Sequence, residues 1–175
     1  EGEERASGLA FESAGRARLL PAGLVLLHHG VVPDTQLSRL LRVEHEWSDA
    51  QLAWRPRIDP WGQTSLAGFR IAGDGAGIAG AQAAQACGAL AALGAAHELG
   101  FLSQADRDAR AAPLHVALRR QQRIRPFLDV LYRPPEWITD PPDETIVCRC
   151  EEVSAGRLRE MVALGCQGPN QTKFF

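Results

Sequence analysis

The sequence predicts an α/β fold, on three features. Short apolar runs with strand-like alternation open the chain of 175 residues. "FRIAGDGAGIAGAQAA", residues 69–84, joins an apolar run to a small-residue run through four glycines, the pattern of a strand feeding a helix. The Ala-rich stretch that follows is long enough for several helical turns. With 45% hydrophobic and 23% charged residues and a formal net charge of −2, the composition is that of a globular protein. Charge implies no nucleic-acid partner: the basic run "RDARAAPLHVALRRQQRIRP" is cancelled elsewhere and reads as a solvated helix face.

Taken in order, "SGLAFES" and "RARLLPAGLVLLHHG" alternate around a turn at Gly15, and Leu24 to Leu27 then form an apolar run typical of a strand buried on both faces. Asp34, after Pro33, caps a short helix, "TQLSRLLR". "HEW" and "LAWRPRI" read as short strands before a turn at "DPWGQTS", and "GFRIA" as the next buried strand. The Ala-rich helix runs from about Ile78 to Leu99 and is ended by Gly100. Ser103 and Asp106 form a capping-box signal for a second helix that runs towards Tyr132 and is broken near Pro126. "RPPEWITDPPDE" is a linker, because its four prolines resist helix and sheet. "TIVCRCEEVSAGRLREMVALG" then reads as strand, cysteine loop, and a helix capped by Ser154.

No charged-then-apolar leader opens the chain. The uncharged stretch around the glycines holds Gln82 and Gln85 among Ala and Gly, too weakly apolar for a transmembrane segment. A hairpin and one buried strand cannot complete an α/β sheet, so a fragment of a larger chain is expected.

Gly75, Gly77 and Gly80 match G-x-G-x-x-G between a strand and a helix. Against a first dinucleotide loop, no second strand ends in an acidic residue about 20 positions on. Asp74 would also set a negative charge against a pyrophosphate. A strand-end carboxylate accepting from sugar-like hydroxyls, with glycines that let a helix N-terminus approach a polar ring or phosphate, is the second reading. A plain tight turn is the third.

"TSLAGFRIAGDGAGIAGAQAA" resembles the second flavin-binding motif of flavoproteins with two dinucleotide-binding domains, through Thr64, Gly68, Phe69, Ala72, Gly73 and Asp74. The resemblance implies that Gly73, Asp74, Gly75, Ala76, Gly77 and Ile78 contact FAD, with Asp74 on the ribityl or pyrophosphate side. "LVLLHHGVVPDTQL" similarly resembles the strand and turn that close an NAD(P)-type domain and lead back to the FAD domain.

Cys148 and Cys150 form C-x-C, whose two thiolates can ligate one metal centre with help from the following helix N-terminus; two free thiols fit equally. Such a centre takes four ligands. Cys87, on the Ala-rich helix, reads as a small core residue, and Cys166 as a helix-end packing residue or third ligand. "VCRCEEVSAGRLREMVALGCQGPNQTKFF" resembles the start of the bacterioferritin-associated-ferredoxin-like 2Fe-2S domain fused to such flavoproteins, including Pro169, Asn170, Gln171 and Lys173. The fused form resembles the A component of opine oxidases, the B component of hydrogen cyanide synthase, and the alpha subunits of related sarcosine oxidases and dye-linked proline dehydrogenases.

The resemblance implies four regions: 1–33, the end of an NAD(P)-type domain; 34–133, the C-terminal part of an FAD-binding domain with a helical extension; 134–145, the linker; and 146–175, a truncated 2Fe-2S domain. The expected fold is a partial two-dinucleotide-binding-domain flavoprotein followed by the start of a small α+β or helical 2Fe-2S domain. FAD and a 2Fe-2S cluster on Cys148 and Cys150 are the implied cofactors, with NAD(P) a further candidate. The implied activity is oxidation of an amine or amino-acid-derived substrate, or relay of its electrons, beside a second, substrate-oxidising flavoprotein subunit in the cytoplasm or peripherally on a membrane. A non-catalytic electron-transfer or assembly subunit, and a pyridine-nucleotide-disulfide reductase relative, remain alternatives. No catalytic residue is identified.

Overall fold

The computed structural model describes residues 5–168 and Gln171. Pro169, Asn170 and Lys173 lie outside the described residues. Strands β1 (Gly8–Ser13) and β2 (Arg16–Pro21) pair antiparallel in full register. Ala14 and Gly15, both at positive φ, make the tight turn whose twist matches such a hairpin.

The run after it departs from expectation. Residues 22–35 carry no strand, and Leu24, Leu26 and Leu27 are 73%, 84% and 77% exposed. A strand buried on both faces needs a ladder neighbour and a cover on each face. Among the described residues neither lies beside this segment.

Helix α1 (Gln36–Leu40) follows, with Asp34 Oδ1 accepting from Gln36 N at 3.0 Å. The expected cap therefore acts from the loop, one residue before the N-cap position, Thr35. Strands β3 (His45–Ser48) and β4 (Ala53–Pro56) form a second hairpin in which Trp47 and Trp54 face each other directly, ring centroids 5.7 Å apart. Asp59 Oδ1 accepts from Trp61 N and Gln63 N at 2.8 Å each, closing the turn read from "DPWGQTS".

"GFRIA" is not a strand either. It meets residues 62–64 through one bridge, Gln63 with Arg70, and through Ile71 N donating to Gly62 O at 2.8 Å. Thr64, a buried residue, fixes the reversal: its Oγ1 donates to Phe69 O at 2.7 Å and accepts from Leu66 N at 3.2 Å. With the chain doubling back this tightly, too few residues lie opposite one another for a longer ladder.

The main packed unit is a pair of helices, α2 (Ala81–Glu98) and α3 (Gln104–Gln122), joined across Gly100 at positive φ. Ala83, Ala86, Leu90 and Gly94, spaced at three and four residues, are the buried positions of α2, and Ala111 is buried on α3. Small side chains let the axes approach closely. Gly94 lies against Trp61, whose ring also meets His115 edge-on at 5.9 Å and carries Arg107 above it at 4.1 Å. Trp61 thus packs on the two helices. Ser103 Oγ accepts from Asp106 N at 3.1 Å, as the capping box predicts. The break near Pro126 falls at residues 123–124, and α4 (Arg125–Leu131) restarts with that proline in its first turn.

The proline-rich linker holds one helical turn, α5 (Glu136–Thr139). Strands β5 (Ile146–Cys148) and β6 (Val153–Ser154) flank the cysteine loop, and α6 (Ala155–Ala163) starts with Ser154 Oγ accepting from Arg157 N at 3.2 Å. The mixture of helix and strand agrees with the α/β expectation, while every sheet among the described residues is an antiparallel pair.

Candidate functional site

The glycine segment is a turn of 3₁₀ helix, Gly73–Ala76, entered from extended Ala72. Gly73 (φ +73°) and Gly77 (φ +140°) reverse the chain on either side, in backbone regions that L side chains rarely adopt. Helix α2 begins at Ala81, three residues after the expected Ile78. The glycines, rather than helix, occupy the gap.

Ile78 is held from both sides by one side chain. Gln51 Nε2 donates to Ile78 O at 2.7 Å, and Ile78 N donates to Gln51 Oε1 at 3.2 Å. The main chain of Ile78 is therefore already satisfied within the protein, unlike that of a free ligand cradle. Ile78 is also buried, so Gln51→Leu strands a donor and an acceptor away from water. The expected loss is about 1–3 kcal/mol, read as a lower midpoint in thermal unfolding, with Gln51→Glu losing less because it keeps an acceptor.

Beside the loop lies a cleft of ≈ 440 Å³, lined on one side by Gly73, Ala76, Gly77 and Ile78 and on the other by Glu46 and Arg55. Arg55 and Glu46 pair with each other at 2.7 Å. Asp74 and Gly75 are not among the lining residues. Asp74 is exposed, and its carboxylate has no partner among the described residues; Gly75 faces Ile71 and the main chain of Asp34. Cys87 on α2 also lines the cleft, half-buried. Burial pushes its thiol pKa up, partly offset by the N–H of Gly73, which keeps it protonated at neutral pH and a poor metal ligand.

A second cleft, of ≈ 630 Å³, is lined by His28, His29, Val31, Leu128, Tyr132 and Arg133 among others. Gln51, Ile78, Arg125 and Asp129 line both clefts and form the wall between them. In that wall Arg125 Nη2 meets Asp129 Oδ1 at 2.6 Å, with side chains 27% and 10% exposed. The two histidines take different partners: His28 Nδ1 accepts from Gly30 N at 3.2 Å, and the His29 ring meets Trp137 edge-on at 5.1 Å.

Cys148 and Cys150 lie with their Sγ atoms 3.2 Å apart, Cys150 exposed. Among the described residues no third histidine, cysteine or carboxylate joins them, so neither Cys166 nor Cys87 completes a metal site there. The first N–H groups of α6 are occupied elsewhere: Ala155 N donates to Thr145 O at 2.8 Å, Gly156 N to Asp143 O at 3.0 Å, and Arg157 N to Ser154 Oγ. Any help that α6 gives the thiolates comes from its dipole, not from hydrogen bonds by these three groups. Arg159 fastens the end of the linker to this unit through Asp143, Asp140 Oδ1 at 2.6 Å and Pro141 O at 2.7 Å. Asp140 and then Asp143 push its pKa further up.

Sequence reasoning missed Gln51, Arg133 and the Arg125–Asp129 wall. Only the last left a signal, the four-residue spacing of an ion pair on a helix. No helix among the described residues is long and apolar enough to cross a membrane.

Along its length the chain is similar to the A component of opine oxidase, as the motifs suggested. It is 47% identical over 175 residues to that of Rhizobium meliloti, covering 99% of this chain and 33% of the relative. With that of Agrobacterium tumefaciens (strain Ach5) it shares 46% identity over 175 residues, covering 99% and 35%. Hydrogen cyanide synthase subunit HcnB of Pseudomonas aeruginosa is 30% identical over 155 residues, covering 86% and 32%. The chain thus spans about a third of the length of the curated relatives it matches. No family model and no solved structure matches it.

Proposed function

Starting from a chain similar along its length to the A component of opine oxidase, we propose that it forms part of an FAD-dependent oxidoreductase subunit. The subunit oxidises, or relays electrons from, an amine or amino-acid-derived substrate of opine, glycine, sarcosine or proline type. A second, substrate-oxidising flavoprotein subunit is its partner. In this reading residues 1–33 end an NAD(P)-type domain, 34–133 belong to the FAD domain, 134–145 link, and 146–175 begin a 2Fe-2S domain.

The observation that carries the reading is the glycine segment lining a cleft. Gly73 and Gly77 bring bare backbone to the cleft wall, and Asp74 beside them offers an exposed carboxylate with no partner among the described residues. The bare backbone fits the pyrophosphate edge of a flavin and Asp74, outside the cleft lining, its ribityl hydroxyls, whereas Ile78, clamped by Gln51, contributes through packing alone. The thiol pair fits half of a four-thiolate centre. The other two ligands then come from outside the described residues.

When bound, the flavin supplies a two-electron acceptor for an amine and the cluster a one-electron outlet. The chain's own residues hold and shield: Gln51 fixes the loop end, Gly73 and Gly77 permit close approach, Asp74 accepts from hydroxyls, and Cys148 and Cys150 donate sulfur. Replacing Asp74 by alanine in the full-length subunit removes a charged acceptor that flavin binding would bury. Flavin affinity is expected to fall by roughly tenfold or more, with FAD lost on purification. Unchanged flavin content and affinity would sink the assignment.

A further inference from the structure

We propose that Cys148 and Cys150 are a site of reversible disulfide formation, and that their oxidation by a small-molecule disulfide decides whether the pair can take a metal. The inference goes beyond the flavin and cluster reading, since it needs only the two thiols and the turn that joins them.

That turn brings together sulfurs that an extended chain would hold apart. In a strand, residues two positions apart on one face are separated by about 6.6 Å, whereas the Cβ atoms of a disulfide stand about 3.5–4.5 Å apart. Here β5 ends at Cys148, which lies opposite Val153 of β6, and residues 149–152 turn the chain between the strands, with Glu152 at positive φ. Cys150 is curled back, and its Sγ stands 3.2 Å from that of Cys148. The frame under the turn is held independently of the sulfurs, by Ala155 N donating to Thr145 O and by Arg159 on Asp140. Cys150 is exposed to an incoming reagent, while Cys148 is half-buried. Among the described residues no other metal-ligating group joins them, so each thiol has the other as its neighbour for reaction.

A low-molecular-weight disulfide such as glutathione disulfide is the oxidant. The Cys150 thiolate attacks one of its sulfurs, the glutathione S–S bond breaks, and one glutathione leaves as a thiolate. Cys148 then attacks Cys150 Sγ in the mixed disulfide and expels the second glutathione. The cysteine pair gives up two electrons and two protons, and both protons end on the departing glutathione thiols. A ring closed across a single residue is tight and its Cys150 sulfur is exposed, features of a labile, readily reduced disulfide. Thiolates are the metal ligands, so the oxidised pair refuses iron until it is reduced.

Arg149 lies between the two cysteines, so trypsin parts them unless they are bonded. The full-length subunit, freed of iron by chelation, is incubated with glutathione disulfide, blocked with N-ethylmaleimide in denaturant, digested and analysed by mass spectrometry. The peptide ending at Arg149 and the peptide starting at Cys150 are expected to remain joined, and to part after dithiothreitol. Cys150→Ser should abolish the joined species, and Cys87→Ser and Cys166→Ser should leave it, with circular dichroism confirming that each variant folds. Iron uptake on anaerobic reconstitution should fall by roughly tenfold or more in the oxidised sample and return after dithiothreitol. Three outcomes overturn the proposal: both cysteines blocked by N-ethylmaleimide, a stable glutathione adduct as the end product, or iron uptake indifferent to the joined state. Joined peptides in a subunit that takes no iron even when reduced keep the disulfide site and remove the cluster reading. Iron uptake by a subunit whose pair never joins does the reverse.

Discussion

Gly94→Ala lowers the unfolding midpoint although alanine is the better helix former. A Cβ at that position would come within 2.7 Å of Trp61 Cβ and 3.3 Å of Trp61 Cγ. The first of these atoms is bonded to backbone and cannot swing away. Either α2 or the 59–65 turn must shift, at about 1–3 kcal/mol for overpacking. Alanine recovers about 1 kcal/mol of helix propensity, which leaves a net loss of up to about 2 kcal/mol. In a chain of this size that is a fall of up to about 8 °C in midpoint. Gly88, on the same helix, has nothing within 4 Å of its would-be Cβ, so Gly88→Ala should shift the midpoint upward. Equal shifts in the two variants would show that the Trp61 contact does not limit the packing.

The second large effect concerns iron. If Cys148 and Cys150 are half of a 2Fe-2S ligand set, Cys148→Ser or Cys150→Ser in the full-length protein abolishes the cluster, because a thiolate is replaced by a hydroxyl that stays protonated. Iron and sulfide contents, with visible absorbance after anaerobic reconstitution, are expected to fall to background in both variants. The 175-residue chain alone should hold no stoichiometric cluster, since among the described residues only two thiols converge. A full complement of iron in that chain would mean that Cys166 and Cys87 both move in to complete the site. Cys166→Ser and Cys87→Ser would then each remove the cluster.

Local chemistry was legible in the sequence, and contacts between distant segments were not. Ser103 and Ser154 cap their helices, Gly15 closes its hairpin, and Gly100 lies at the end of α2, because each depends on a neighbour within a few residues. Leu24 to Leu27 and "GFRIA" failed as strands because a strand depends on what lies beside it, and apolar content cannot reveal that. At the site, the glycines disclosed the turn but not the clamp on Ile78, which comes from Gln51, 27 positions earlier. Nor did the sequence reveal that Trp61 rests on Gly94. The Ala-rich composition marked a long helix, without revealing that Ala83, Ala86, Leu90 and Gly94 are its buried positions.

The Arg159 fastening has a consequence for distance. With Asp140, Pro141 and Asp143 bound to α6, the second half of the proline-rich segment travels with the thiol pair instead of trailing loose. Between α4 and α5 only residues 132–135 are left outside regular structure, a leash of at most about 14 Å when fully stretched. Two of them, Pro134 and Pro135, resist coiling. The sulfur pair is therefore tied to α4 through a short, stiff stretch whose span is set by chain length.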